Sequence, residues 1–219
     1  MRIRSFIIAY ALVLAIILFA DRRPDSTTAN RYSHVIDLTG TPVSDRNSTA
    51  RSATRIIAPA ELIPGTWSAG QIPAERLIAP LVVLDLPARS DQAAQLSLSD
   101  IADWESKHGV IAQGALVAIR RTASVPKDQA KSDAPLPITA DAAQFLMDAR
   151  YVVGFIVETP SNLVSDRTLA RQIALHGTYV VDGATRFSEL SETGSLVIVA
   201  PAKGNDATKS SVRILAMVK

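Results

Sequence analysis

Residues 53–86 read ATRIIAPAELIPGTWSAGQIPAERLIAPLVVLDL and contain the segment that decides the fold. The last seven of them, Pro80 to Leu86, are a predicted β-strand that is apolar on both faces at its centre. A strand with no polar face belongs in the interior of a domain, where both of its surfaces are covered. The segments before and after this strand are therefore expected to build the layers around it.

Further strands are predicted where short apolar runs are bounded by turn residues. They cover 32–38, 114–119, 151–157 (interrupted by Gly154), 178–181, 196–200 and 212–218. Gly204 and Asn205 are placed in a turn before the last of these strands.

Three helices are predicted between the strands. Ser99 is interpreted as the N-cap of the first, which ends at Gly109, and Thr139 as the N-cap of the second. The third is short and covers 169–175, while 123–137 is polar and contains proline, which favours a loop. Because strands outnumber helices and the two mix in order, an α/β fold with a largely β centre is expected.

Composition excludes several classes of function. The 219 residues include no cysteine, which removes disulfides, thiolate metal sites and cysteine nucleophiles. The net charge of +2 comes from Arg2 and Arg4, since the rest of the chain balances its basic and acidic side chains. A neutral body offers no electrostatic surface for DNA or RNA, so no nucleic-acid partner is expected.

The N-terminal segment predicts export. Two arginines precede an unbroken apolar run over 6–20, and Asp21 ends it. Fifteen helical residues span roughly 22 Å, which suits a signal peptide better than a full membrane crossing. Cleavage after Ala20 would place Leu18 where a small residue is preferred, so a short uncleaved anchor and a buried N-terminal helix remain alternatives. Residues 1–20 are thus a signal peptide or anchor, 21–31 a linker, and 32–219 the domain, in the periplasm or cell envelope.

The stretch that opens at Ala53 resembles the signature of the cyclase / kynurenine formamidase family, H-x-G-T-H-x-D-x-P-x-H. The resemblance continues through 71–85 and, in the same order, through 98–101, 114–122, 139–150, 153–161 and 194–201, and it spans about 32–219. It implies a single domain of the swivelling β/β/α-like class. Family members are similar to metal-dependent amide or ester hydrolases, in which a divalent ion polarises a carbonyl and activates water.

At the positions where the resemblance implies metal ligands, most side chains differ from the family pattern. The framework is retained in Thr54, Pro59 and Pro64-Gly65. The matching positions hold Arg51, Arg55, Ile57, Glu61, Asp166 and Asp182, and His176 is a possible displaced ligand. Arginine has no lone pair to donate to a metal, and two arginines would repel a dication. The expectation is no metal site, with guanidinium groups paired to Glu61, Asp166 and Asp182; the alternative is that Arg51 and Arg55 turn to solvent.

Two functions from different classes follow. The first is a non-catalytic descendant that has no cofactor and binds a small anion or a protein partner, since an arginine fork suits carboxylate and phosphate. The second is an active amide hydrolase of the kynurenine formamidase (arylformamidase) type. That enzyme would hold one divalent metal, such as zinc or manganese, through Glu61, Asp166, Asp182 or His176. The resemblance also implies a possible homodimer.

Overall fold

Four parallel strands and the helices between them form one side of the domain. The computed structural model describes residues 32–40, 54–86, 94–121, 135–203 and 207–219. The strands are β1 (His34–Asp37), β2 (Arg55–Ile57), β3 (Ile78–Leu86), β4 (Leu116–Arg121), β5 (Gly154–Val157), β6 (Tyr179–Asp182), β7 (Ser195–Pro201) and β8 (Lys209–Val218). The helices are α1 (Leu98–His108), α2 (Ala140–Ala149) and α3 (Arg167–Leu175), and they connect β3, β4, β5 and β6, which pair in parallel. Short 3-10 turns occupy Pro59–Glu61, Ala69–Gln71, Ala74–Arg76, Leu163–Ser165 and Phe187–Glu189.

The remaining strands close the sheet into a barrel-like ring. Strand β8 pairs antiparallel with β7 along one edge and with β2 and β1 along the other. Because β7 also pairs with β3, and β2 with β6, the ring of seven strands returns to β8. Strand β1 extends the sheet beyond this ring. The expected α/β domain with a largely β centre is confirmed.

Two apolar cores lie on either side of the parallel strands. On β3, Leu81 and Val83 point into the barrel, while Val82 and Leu84 point outward beneath the helices. This alternation explains why the strand is apolar on both faces, since each face is buried by a different layer. The outer core is completed by the apolar faces of α1, α2 and α3.

A buried threonine joins three segments at one end of the barrel. Thr54 accepts a hydrogen bond from the backbone N–H of Gly40 at 2.7 Å and donates one to the carbonyl of Gly183 at 2.9 Å. A Cβ at position 40 would lie 2.7 Å from that carbonyl oxygen, so only glycine allows this approach. The contact fixes the start of β2 beside the end of β6.

The structure corrects several predicted boundaries. The cap of α1 is Ser97, not Ser99, and its backbone N–H bonds to the carboxylate of Asp100 at 2.8 Å. Thr139 is the N-cap residue of α2, as predicted, although its hydroxyl donates to the carbonyl of Leu96 and not to the helix. The strand predicted from 151 begins only at Gly154, because Tyr151 takes a left-handed conformation with φ 52.

Parts of the predicted organisation fall outside the described residues: the leader 1–20, the linker 21–31, the turn at Gly204 and Asn205, and most of the loop 123–137. Residues 34–219 form one compact unit. Among the residues that the structure describes, no helix combines the length and apolarity needed to cross a bilayer.

One face of the sheet carries apolar side chains that the helices do not cover. Facing residues on β1, β8, β7 and β3 form two rows across the strands: Val35, Met217, Leu196 and Pro80 in one, and Asp37, Leu215, Ile198 and Ile78 in the other. Val35 is 58% exposed and Ile78 53%. We call these eight residues the open sheet face. Asp37 is its only charged member and pairs with the neighbouring Arg213 at 3.0 Å.

Candidate functional site

The positions at which the resemblance implies metal ligands do not all come together. Arg55 opens β2 and Asp182 ends β6, and the two residues are direct partners across these strands. Both lie on the outer surface of the sheet, because their neighbours Ile57 and Val180 belong to the core beneath the helices. The pair therefore sits where the carboxyl end of β6 meets β2, the strand formed by the signature segment itself.

The Arg55 guanidinium grips the Asp182 carboxylate with two hydrogen bonds. Nε lies 3.1 Å from Oδ1 and Nη2 lies 2.7 Å from Oδ2. The Asp182 side chain is 1% exposed, and its Oδ2 also accepts the backbone N–H of Ser161 at 3.0 Å. The bonds to Asp182 outweigh partial burial and raise the pKa of Arg55. Two parallel bonds of this kind make the strongest and most directional arginine–carboxylate contact.

Glu61, the residue at the position of the third signature histidine, binds a lysine and not an arginine. Its Oε1 lies 2.7 Å from Nζ of Lys209, and its Oε2 accepts a short hydrogen bond from the hydroxyl of Thr208. Burial acts to raise the pKa of Glu61, but these two hydrogen bonds and the lysine charge outweigh it and lower the pKa. Strand pairing causes the contact, since Lys209 is the partner of Ile57 across β2 and β8.

Three further positions serve the scaffold. Ile57 is buried in the outer core. Asp166 is the N-cap of α3 and accepts the backbone N–H groups of Thr168 and Leu169, each at 3.0 Å. Within the described residues it has no ion pair with Arg55. Arg51 lies outside the described residues.

His176, the possible displaced ligand, connects two helices. It follows α3, and its Nε2 lies 2.7 Å from Oδ1 of Asp148 on α2. The other ring nitrogen, Nδ1, lies 2.8 Å from the carbonyl of Gln172. Both ring nitrogens thus have protein partners on the helical surface.

The donor chemistry at these positions does not fit a divalent ion. Both carboxylate oxygens of Asp182 already accept from Arg55, Glu61 is neutralised by Lys209, and Ile57 has no donor atom. In the parts of the chain that the structure describes, no three histidine or carboxylate side chains converge closely enough to hold a metal.

Two charged residues at the same end of the parallel strands carry contacts that the sequence did not reveal. Arg120, at the end of β4, binds Asp85 of β3 at 2.9 Å and donates to the carbonyls of Phe187 and Leu190 at 3.2 and 2.8 Å. Glu158, the first residue after β5, accepts the backbone N–H of Arg121 at 3.3 Å. In the sequence, the position of Glu158 directly after a predicted strand was the signal that could have drawn attention to it.

Burial sets the protonation of Glu158. Desolvation raises the pKa of this carboxyl, and the hydrogen bond from Arg121 and the charges of Arg121 and Arg120 offset the effect only in part. Glu158 is therefore the acid of this region whose charged form is disfavoured by its surroundings.

Removal of the arginine should expose the cost of burying Asp182. In Arg55→Met, Asp182 keeps only the N–H of Ser161, and we expect the free energy of unfolding to fall by about 3 kcal/mol, measured by urea titration at neutral pH. Asp182→Asn in the same chain should recover part of the loss, because an amide carries no charge. Arg213→Met, which breaks the more exposed pair with Asp37, serves as the matched control and should cost less than about 1 kcal/mol. Equal losses in Arg55→Met and Arg213→Met would contradict a dependence of Asp182 on the guanidinium.

The raised pKa of Glu158 gives a second expectation. Its folded state binds the proton more tightly than the unfolded state, so this stabilising contribution is complete below the unfolded pKa and is lost as pH rises through the folded pKa. Glu158→Gln should match the native chain near about pH 4 and exceed its stability at about pH 7. Glu105→Gln is the control of opposite sign, because the hydrogen bonds from Arg150 lower the pKa of Glu105. A Glu158→Gln chain that loses stability at neutral pH would show that the carboxylate is needed there.

Comparison with known proteins agrees with the fold. The family model described as "Putative cyclase" matches residues 22–162. Isatin hydrolase A from Labrenzia aggregata, bound to benzyl benzoate, is 26% identical with a TM-score of 0.68, over 84% of this chain and 93% of that one. Isatin hydrolase A from Ralstonia solanacearum is 24% identical with a TM-score of 0.70, over 85% and 92%. A structure described as a potential metal-dependent hydrolase with cyclase activity is 19% identical with a TM-score of 0.62, over 84% and 96%. No curated protein matches the chain significantly. Because the family model covers more than half of its residues, the chain belongs to the cyclase family.

Proposed function

We propose that this chain is an exported or membrane-tethered, non-catalytic member of the cyclase family whose role is binding. The observation that carries the proposal is the two-bond contact of Arg55 with buried Asp182. Both residues stand at positions where the family resemblance implies metal ligands. The leader over 1–20 supports the export, and fractionation of cells that express the full chain would test it.

The guanidinium of Arg55 neutralises the Asp182 carboxylate, as a bound metal ion would. A buried carboxylate requires a positive partner or hydrogen-bond donors, and Arg55 supplies both without a metal. It also removes the chemistry, because an arginine neither activates water nor accepts a substrate oxygen as a Lewis acid does. The contact thus supports a protein that has kept the fold of the family and lost its catalytic activity.

The second candidate is a metal-dependent hydrolase of the kynurenine formamidase type, and the similarity to isatin hydrolase A favours it. Structures described as metal-dependent hydrolases share the fold, so a metal is a reasonable cofactor. Such an enzyme would have to free Asp182 from Arg55 and Glu61 from Lys209. It would also have to draw on Asp166 or His176, which are held by helix contacts.

Metal content separates the two candidates. We expect the native chain, incubated with zinc or manganese and desalted, to keep far less than one ion per chain and to hydrolyse neither isatin nor N-formylkynurenine, because Arg55 occupies the carboxylate. The matched variant restores the family signature through Arg51→His, Arg55→His, Ile57→Asp and Glu61→His, and should retain the ion. One ion per chain in the native protein, with turnover that disappears in Asp182→Ala, would replace the proposal by the hydrolase.

The Arg55 contact also bears on the ligand. Since the Nε–Nη2 edge of the guanidinium is committed to Asp182, we favour a protein partner over a small anion at this position. The open sheet face supports a second copy of the chain as that partner. Seven of its eight residues are apolar, and it carries both signs of charge, since Asp37 belongs to it and Arg213 lies beside it. Two copies related by a two-fold axis can therefore place opposite charges together.

Light scattering of a chain without residues 1–20 tests this homodimer. We expect a dimer, and we expect Ile198→Lys combined with Leu215→Lys to give a folded monomer, because both charges would enter the apolar rows. Val110→Lys is the control, since Val110 is 73% exposed in the loop after α1 and away from the open sheet face. A monomeric native chain would exclude the dimer.

A further inference from the structure

Arg76 lies half-buried at the amino end of β6, opposite to the end that carries Asp182. It is the last residue of a 3-10 turn, and its Nη2 donates to the carbonyl of Gly177 at 3.2 Å. The Tyr179 hydroxyl, at the start of β6, donates to the Arg76 carbonyl at 2.7 Å. The backbone and the side chain of Arg76 are thus both anchored to the same strand.

The charge of Arg76 has no acidic partner within the described residues. Three other largely covered arginines, Arg55, Arg120 and Arg150, each grip a carboxylate with two nitrogens. Arg76 instead has one carbonyl contact and the ring of Trp67, whose centroid lies 5.5 Å from its Cζ. Burial lowers the pKa of Arg76 accordingly, with only a small opposing effect from Tyr179. A partly desolvated cation without a counter-charge calls for an anion.

A polar group of Arg76 is also unsatisfied. Its Nε is sealed from solvent without a hydrogen-bond partner, as is the hydroxyl of buried Thr178, which follows Gly177 in the sequence and directly precedes β6. Buried polar atoms without partners are uncommon in folded proteins and require an explanation. The Nη1 group makes no hydrogen bond to the described residues and, unlike Nε, is not among the sealed atoms. Nη1 and the second N–H of Nη2 therefore present one open edge of the guanidinium fork.

Trp67 supplies a fixed apolar wall beside this edge. Gly177 adopts φ +62, and a Cβ there would lie 2.9 Å from Cζ3 of the ring, so the indole lies directly on the glycine backbone. The ring remains 37% exposed, although it is held between the backbone and the guanidinium. A planar cation beside a partly open aromatic surface suits a ligand with an oxyanion group and an apolar body.

We propose that Arg76 and Trp67 form a binding site for a small organic oxyanion, which its carboxylate or phosphate group anchors to the open edge of the guanidinium. The site lies at the end of β6 opposite to the Arg55–Asp182 pair. It does not depend on the state of the metal-ligand positions and goes beyond the function proposed above. An inactive chain could bind here, and so could an active one.

Fluorescence of Trp67 provides a direct test. The chain has two tryptophans, and Trp104→Phe leaves Trp67 as the single reporter. In this background, benzoate and inorganic phosphate are titrated at constant ionic strength, with chloride as the balancing salt. We expect a saturable change in Trp67 emission and a rise in the melting temperature with at least one of the two probes. Saturation by benzoate alone would assign the site to carboxylates, and saturation by phosphate alone to phosphate groups.

Variants of the arginine distinguish the site from general salt effects. Arg76→Gln should weaken the binding at least about tenfold, and Arg76→Lys should weaken it less, since the charge remains but the fork is lost. Arg171→Gln, which removes an exposed arginine of α3 with no acidic partner among the described residues, should bind as the native chain does. No saturable change in the native chain would overturn the site, as would an equal response of native and Arg76→Gln chains. If Arg76→Gln fails to fold, Arg76→Lys with native affinity would equally contradict the role of the fork.

Discussion

Asp182 lies at the end of a central strand, and its carboxylate has almost no access to water, so other groups of the protein must balance its charge. The Arg55 guanidinium balances the charge and donates two hydrogen bonds, and the Ser161 N–H donates a third. Because Arg55 opens β2 and Ser161 follows β5, the contact ties together the strands on either side of β6. Thr54, immediately before Arg55, secures the same corner through Gly40 and Gly183. The contacts at this corner therefore neutralise the buried Asp182 carboxylate and also hold the neighbouring strands of the sheet together.

Much of the fold was predictable because the strongest signals are local. The centre of the run from Pro80 to Leu86, residues 81–84, is buried by two layers and is apolar on both faces, so this strand was predicted correctly. Boundaries were less accurate where a backbone conformation decided them. Tyrosine favours β-strands, but Tyr151 has a left-handed φ, and β5 begins only at Gly154. The cap of α1 was misplaced by two residues because Ser97 and Ser99 are equivalent by type, and the reciprocal contact with Asp100 selects the first.

Contacts at the candidate site were harder to predict because strand register determines them. Glu61 meets Lys209 since β2 and β8 align Ile57 with that lysine, across about 150 residues of sequence that contain no trace of the pairing. Asp166 was a different case. Its position before Arg167-Thr168-Leu169 is a helix N-cap pattern that could be recognised locally, and that reading accounts for both of its hydrogen bonds. The pairing of Arg55 with Asp182 was among the contacts expected, because the family resemblance put both residues at ligand positions and their charges are opposite.

Strand β8 has a consequence for the order of events in synthesis. It pairs with β1, β2 and β7, so none of these pairings can form until residues 209–218 have been synthesised. Before that moment the ring lacks its last strand. Strand β1, which comes first in the sequence, also lacks β8, the strand with which it pairs. The ring of seven strands therefore stays open until β8 has been made. Loss of β8 would leave three strands without the one that joins them.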